Sequence, residues 1–160
     1  MANPRSVLLA VVPANVDVAT QNILTMAEKH DPEGQRTIGV LTKPDLVDEG
    51  SEPAILDLLN GKVHSLTHGW CAVRNKGQKD LADPNVDRDE AERSFFTRSE
   101  PWSAVPQDRT GIFNLRVRLQ KILSKHISRE FPQVKAEIRK KLASLGKRTC
   151  QTRRFPPDGR

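Results

Sequence analysis

The segment Thr37–Gly50, TIGVLTKPDLVDEG, joins a short apolar run to a polar loop. Thr37, Ile38, Gly39, Val40 and Leu41 form the kind of β-branched stretch that makes a buried central strand. Thr42, Lys43, Pro44 and Asp45 follow at once, where an open α/β sheet presents its ligand-binding loops, outside the carboxyl end of a strand. A carboxylate at Asp45 is suited to reading guanine, because it can accept from the ring N1–H and the exocyclic N2 amine together. Adenine offers no such pair of donors on that edge. The competing reading is a plain surface loop.

Upstream, Ser6–Val12, SVLLAVV, is apolar on both pleat faces, which predicts a strand covered on both sides, as parallel sheets require. After the loop Pro13–Asp17, residues Val18–His30 place Ile23, Met26 and Ala27 on one helical face, with Asp17 or Thr20 available as a cap. Asp31–Gly34, DPEG, ends that helix. Strand, helix and strand in this order make a right-handed βαβ unit with parallel neighbouring strands the expected arrangement.

Downstream, Glu52–Leu59 reads as a short helix closed by Asn60 and Gly61. A third apolar run, Gly69–Val73, leads into the polar loop Arg74–Asp80, which would lie beside the TKPD loop in a parallel sheet. Asp87–Arg98 predicts a helix with Ala91, Phe95 and Phe96 inward. From Thr110, taken as its N-cap, a long amphipathic helix is expected to reach Phe131, with Leu115, Leu119, Ile122, Leu123 and Ile127 on one stripe. Pro132 removes an interior hydrogen bond and predicts a kink or a boundary between two helices. The helix after it, Gln133–Leu145, has only the narrow stripe Val134, Ile138, Leu142 and Leu145 among basic residues. A thin stripe on a charged helix needs partner helices, so elements are expected downstream, and Met1–Arg5 leading directly into a core strand with no edge element before it points to others upstream. The tail from Arg148 is expected to be disordered.

The 160 residues suffice for one domain with a core, and the apolar run Val7–Ala14 is far short of the ~20 residues of a membrane span. The net charge of +6 hides a division: residues 1–108 hold 11 Lys+Arg against 17 Asp+Glu, a balance of −6, and residues 109–160 hold 15 against 3, a balance of +12. The basic part would suit an acidic partner surface, or it is a solvated helix. Two distant cysteines, Cys71 and Cys150, fit a reducing, cytoplasmic setting.

With PAN-x-D at Pro13–Asp17, DPEGQRTIGVLTKPDLVDEG at Asp31–Gly50 and the N-x-x-QKD loop at Asn75–Asp80, the chain resembles the dynamin superfamily of GTPases, close to its dynamin-like and Mx-type members. The resemblance covers roughly residues 3–147. It implies an α/β fold, a partial P-loop GTPase-type parallel sheet with flanking helices, followed by a long α-helical extension. It implies that residues 1–131 are the C-terminal part of a GTPase domain and 132–147 the start of the bundle signalling element or stalk helix, with 148–160 the tail. Thr42, Lys43 and Asp45 become the guanine-specificity motif, and Asn75, Lys76, Gly77 and Gln78 the second base-and-ribose loop. Asp48 falls where relatives approach a partner's nucleotide when two GTPase domains dimerise. The ligand implied is GTP or GDP, with Mg²⁺ in the family. The implied partners are further dynamin-like chains, met through the GTPase domain or the bundle helices. In the parent family GTP hydrolysis drives membrane remodelling by peripherally associated cytoplasmic proteins.

The departures matter as much. No GxxxxGK[S/T] occurs, nor a switch-I Thr or DxPG loop ahead of Ser6, so the residues that hold phosphates and Mg²⁺ in the family are not in this sequence. Gly61-Lys62 and Gly146-Lys147 lack the following Ser or Thr. Asp31–Gly34 matches a bare DxxG but follows a helix, and reads as a turn. His64, His68 and Cys71 span a loop and a strand start without a fourth metal ligand. The basic helix lacks the glycine and aromatic signatures of nucleic-acid modules, so no nucleic acid is expected. The expected function is therefore a guanine-recognition part of a dynamin-type GTPase, not catalytically competent alone, with weak or no nucleotide binding. The alternative is a non-catalytic interaction module that docks its basic helix on a full-length dynamin-like partner.

Overall fold

The structure, a computed structural model, describes residues 5–17, 22–77, 80–81 and 87–152, with side chains described as far as residue 145. The three apolar runs form strands β1 (Leu8–Pro13), β2 (Thr37–Thr42) and β3 (Trp70–Val73). They make one parallel sheet in the order β1-β2-β3, with Val12 beside Leu41 and Leu41 beside Ala72. Helices α1 (Asn22–His30), α2 (Glu52–Leu59), α3 (Arg88–Arg98) and α4 (Ile112–Thr152) flank or follow it. The expected α/β architecture with a long helical extension is the one observed.

Strand periodicity sorts the core into two layers. On one face Ala10, Val12, Leu41, Trp70 and Ala72 pack with Leu24 of α1, Ile55, Leu58 and Leu59 of α2, and Phe96 of α3. On the other, Ile38, Val40, Cys71 and Val73 pack with Ile112, Leu115, Leu119 and Ile122 from the first turns of α4. β2 is buried on both faces, as expected of a central strand. β1 is not. Leu9 and Val11 remain 45% and 46% exposed. They are paired with Ile38 and Val40, so they lie on the α4 side, where the helix covers β2 and β3 but not the edge strand.

Two details of the helices differ from the sequence pattern. In α1 the buried residues are Leu24 and Ala27, and Met26 is exposed. The inward stripe passes through Leu24, and Met26, two residues on, lies about 200° round the helix, on the opposite side. The segment carrying its proposed caps and start, residues 18–21, lies outside the described residues. α4 is helical through Pro132 and on to Thr152, so it neither divides at Phe131-Pro132 nor gives way to a tail at Arg148. Pro132 has no N–H to offer the Ser128 carbonyl, which leaves one gap in an otherwise continuous ladder. Residues 153–160 are outside the described ones.

The chain divides into two compact units, residues 1–123 and 124–160. In the first, Leu115 of α4 is buried and Leu119 and Ile122 are half-buried. Leu123 and Ile127, expected on the same buried stripe, are exposed, as are Phe131, Ile138, Leu142 and Leu145 in the second unit. That second unit buries little of its own apolar surface.

Arginines and one aspartate close the amino end of the sheet. Arg36 donates to the Ser6 carbonyl at 2.8 Å and to the His30 carbonyl at 2.6 Å, which ties the start of β1 to the end of α1. Arg118 of α4 donates to the Trp70 carbonyl at 3.0 Å. Asp31 caps the DPEG turn, accepting from the Gln35 and Arg36 N–H groups and from the Thr37 hydroxyl at 2.6 Å. Gly34 there takes a φ of +59°, a conformation that glycine adopts without a Cβ penalty. The bare DxxG is therefore a structural turn.

Two predictions follow from this packing. Gly39 lies against the indole of the fully buried Trp70, and a Cβ there would sit inside the ring. Gly39→Ala should cost about 1–3 kcal/mol or more of stability in urea unfolding, since overpacking forces the indole off its site. For Asp31, burial pushes the carboxyl up, but the Thr37 hydroxyl and the Arg36 and Gln35 N–H groups outweigh it and hold it below the usual range. Its contribution is therefore fully present above the unfolded value of about 3.9 and is lost as pH falls through the lower native value. Unfolding measured between neutral pH and pH ~2 should show a smaller acid loss in Asp31→Asn than in the parent chain.

Candidate functional site

A parallel sheet delivers the ends of all three strands to one edge, so the loops after β1, β2 and β3 emerge side by side. The β2 loop turns sharply. Lys43 has φ 57°, ψ 45°, the left-handed region that costs a residue with a Cβ about 1–2 kcal/mol, and Pro44–Leu46 follow as one 3₁₀ turn. Pro44 is buried, the Lys43 side chain is exposed, and Asp45 is largely shielded. Thr42 faces back into the sheet, its hydroxyl 3.5 Å from the Val12 carbonyl oxygen.

The β3 loop meets this turn through Arg74. Its Nε lies 3.6 Å from Asp45 Oδ2, and its Nη2 donates to Asp80 Oδ2 at 2.7 Å. The guanidinium also stands over the Phe95 ring, 5.9 Å from the centroid. Asp80 accepts from the Gly77 N–H at 3.1 Å as well. That N–H, with the positive charge of Arg74, holds the Asp80 carboxyl below the usual range against a smaller upward push from burial. The loop Asn75–Gly77 is thereby folded over one carboxylate.

Behind both loops lies Glu92 of α3, only 4% exposed. Its Oε1 accepts from the Arg74 N–H at 2.8 Å and its Oε2 from the Ile112 N–H at 2.9 Å. One carboxylate thus fixes the start of the β3 loop and caps the first turn of α4. Thr110 does not serve as that cap. It is buried one position too early, and its hydroxyl donates to the Gln107 carbonyl at 3.1 Å.

Of the predicted site residues, the structure brings Asp45 together with the Asn75, Lys76 and Gly77 loop through Arg74. Gln78 lies outside the described residues. Asp48 is set apart: it lines a cavity of about 540 Å³ with Ala14, Asp17, Ile55 and His64, and none of Thr42, Lys43, Asp45 or Asn75 lines it. The reason is local, since Val47 leaves the 3₁₀ turn extended and the Asp48 carbonyl accepts from Ser51 N–H ahead of α2. Arg74 and Glu92 are the residues that sequence reasoning missed. Glu92 had a signal, because it sits three and four positions before Phe95 and Phe96 on the inward face of α3.

The residues described here do not fit a metal centre, since no group of three or more His, Cys, Asp and Glu among them could hold an ion. His64 pairs with Glu28 at 3.2 Å. Cys71 is buried in the sheet, and burial, opposed by Arg118, pushes its thiol up to about 11. No helix among the described residues is long and apolar enough to cross a membrane.

Comparison with known proteins places the chain in a family. Residues 1–44 match the family model described as "Dynamin family", and residues 54–159 match "Dynamin central region". The chain belongs to the dynamin family. It is 41% identical over 140 residues to the interferon-induced GTP-binding protein MxE of Danio rerio, covering 86% of this chain and 22% of that protein. It is 39% identical over 137 residues to Mx2 of Oncorhynchus mykiss, covering 84% and 22%, and 39% identical over 155 residues to dynamin-2 of Bos taurus, covering 96% and 18%. The chain thus spans about a fifth of the length of these dynamin-family relatives.

The double role of Glu92 is open to a direct test. Glu92→Gln keeps the volume but turns an amide N–H₂ toward one of the two backbone N–H groups. Chemical denaturation should show a loss of about 1–3 kcal/mol, with faster amide exchange at both Arg74 and Ile112.

Proposed function

We propose that this dynamin-family chain carries the base-reading half of a guanine-nucleotide site. Asp45 accepts from guanine N1–H and the N2 amine, the Lys43 stem covers the ring or sugar, and the second loop, from Asn75, offers backbone N–H to O6, the Gly77 N–H being held by Asp80. The observation that supports this most is the Arg74 side chain, which pairs with Asp45 of one loop and Asp80 of the other and so joins the two. Membership of a family whose relatives include GTP-binding proteins supports the same ligand, GTP or GDP. Asp48, apart from this cluster, is proposed to act at a contact between two GTPase domains instead of on the base.

The phosphate half is another matter. Hydrolysis in P-loop GTPases depends on a backbone cradle, a Lys and a Mg²⁺ held by Ser/Thr, and no such motif occurs in these 160 residues. We therefore propose weak binding without turnover. Two hydrogen bonds and a covered base face supply about 4 kcal/mol, a millimolar affinity. Coupling of GTP hydrolysis to membrane remodelling, and self-association through the GTPase domain or helices, are proposed for the whole protein at cytoplasmic membrane surfaces.

One observation favours a second reading. Ile127, Phe131, Ile138, Leu142 and Leu145 are exposed on a helix rich in Lys and Arg, which suits docking on acidic partner helices of a full-length relative. Capture by such a relative, lost when Ile138 and Leu142 are replaced by Asp, would support it.

Titration of the labelled chain with GDP and ADP tests the leading reading. GDP at millimolar concentration should shift the amides of Asp45, Leu46 and Asn75–Gly77, ADP should not, and Asp45→Ala should abolish the difference. Phosphate release from GTP should stay at background. Turnover at an ordinary enzymatic rate, about 1 s⁻¹ or above, would contradict the proposed division of the site.

A further inference from the structure

Resting on that reading of Asp45, we propose that Arg74 is a positioning residue for guanine selectivity: it sets the orientation in which the Asp45 carboxylate meets the base. The case starts from what holds Asp45. The residue sits on a single 3₁₀ turn after a left-handed Lys43, and among the described residues the Arg74 guanidinium is the one group paired with its carboxylate. A carboxylate that must accept two donors from one base edge needs a fixed plane, and a lone turn does not provide one.

Arg74 is itself fixed from four directions. Its backbone N–H is held by Glu92, its Nη2 by Asp80, its guanidinium plane stands over Phe95, and it directly follows the fully buried β3. Little of its side chain is exposed. At 3.6 Å the Nε–Oδ2 approach is an ion pair longer than a hydrogen bond. The carboxylate is therefore held by charge and keeps its lone pairs for the base. A guanidinium also suits this task better than an ammonium, because its fixed fork reaches two carboxylates at once, here Asp45 and Asp80.

The same contacts make a distinction that experiment can read. If Arg74 merely supports the fold, its loss weakens every nucleotide alike. If it orients Asp45, its loss removes the advantage that the guanine N2 amine confers, because only a correctly turned carboxylate reaches both donors. Inosine nucleotides lack that amine and report the difference.

The test titrates GDP and IDP into the parent chain, Arg74→Met and Arg74→Lys, following amide shifts. The parent should prefer GDP over IDP by about tenfold, the worth of one hydrogen bond to a charged group. In Arg74→Met the preference should fall to about twofold or less with IDP affinity changed little, and Arg74→Lys should recover part of it. Amide spectra away from the two loops check that each variant is folded, and a misfolded Arg74→Met leaves Arg74→Lys to carry the comparison. An unchanged GDP/IDP ratio in the variants would overturn the role of Arg74 and leave the guanine site standing. Equal affinity for GDP and IDP in the parent chain would overturn both.

Discussion

A carboxylate taken out of water must find donors, and Glu92 finds two backbone N–H groups. One belongs to Arg74, the first residue beyond β3, and the other to Ile112, the first residue of α4. The Ile112 donor is one of the orphan groups that every helix presents at its start, and a negative charge there is favoured by the helix dipole as well. Gly111 takes φ +83° immediately before it, with a Cβ position that would face the Glu92 carboxylate. A tight left-handed step thus brings the helix start onto the acid. From that point α4 can lay Leu115, Leu119 and Ile122 across β2 and β3.

The two ends of the sheet use charge differently. At the amino end, Arg36 and Arg118 spend their donors on backbone carbonyls and Asp31 spends its acceptors on backbone N–H groups and Thr37, which closes turns and leaves little for a ligand. At the carboxyl end the charged groups face one another: Asp45, Arg74 and Asp80 link two loops. The Lys43 side chain of the same loops stays exposed, so the charged groups at this end are not all used up in holding the turns.

The fold was legible where one rule governed a residue. The strands, α2 and the ends of α3 follow from apolar runs, caps and glycines, and the adjacency of the two loops follows from parallel pairing alone. What escaped depended on neighbours distant in sequence. The apolar pattern of SVLLAVV cannot say which side of β1 the helices leave open, and the exposure of Leu9 and Val11 is set by where α4 ends its contact with the sheet. Thr110 carries every local mark of an N-cap, yet a carboxylate 20 residues away took the position. At the candidate site, the motifs pointed to Asp45 and the Asn75 loop, and parallel pairing accounts for their being neighbours. Arg74 was not, because its significance lies in contacts with Asp80, Phe95 and Glu92 that spacing does not reveal.

The contacts that tie the loops after β2 and β3 to each other come from Asp45, Arg74, Asp80 and the side chains of α3. Arg74 is fixed by Glu92, Asp80 and Phe95, and Asp45 by Arg74 and by the turn that the buried Pro44 holds against the sheet. On the proposed reading of Asp45, the groups that would choose the base are held in place by the fold itself. Such groups can take their working geometry before any ligand arrives, since ordering them is part of folding and adds no cost at binding.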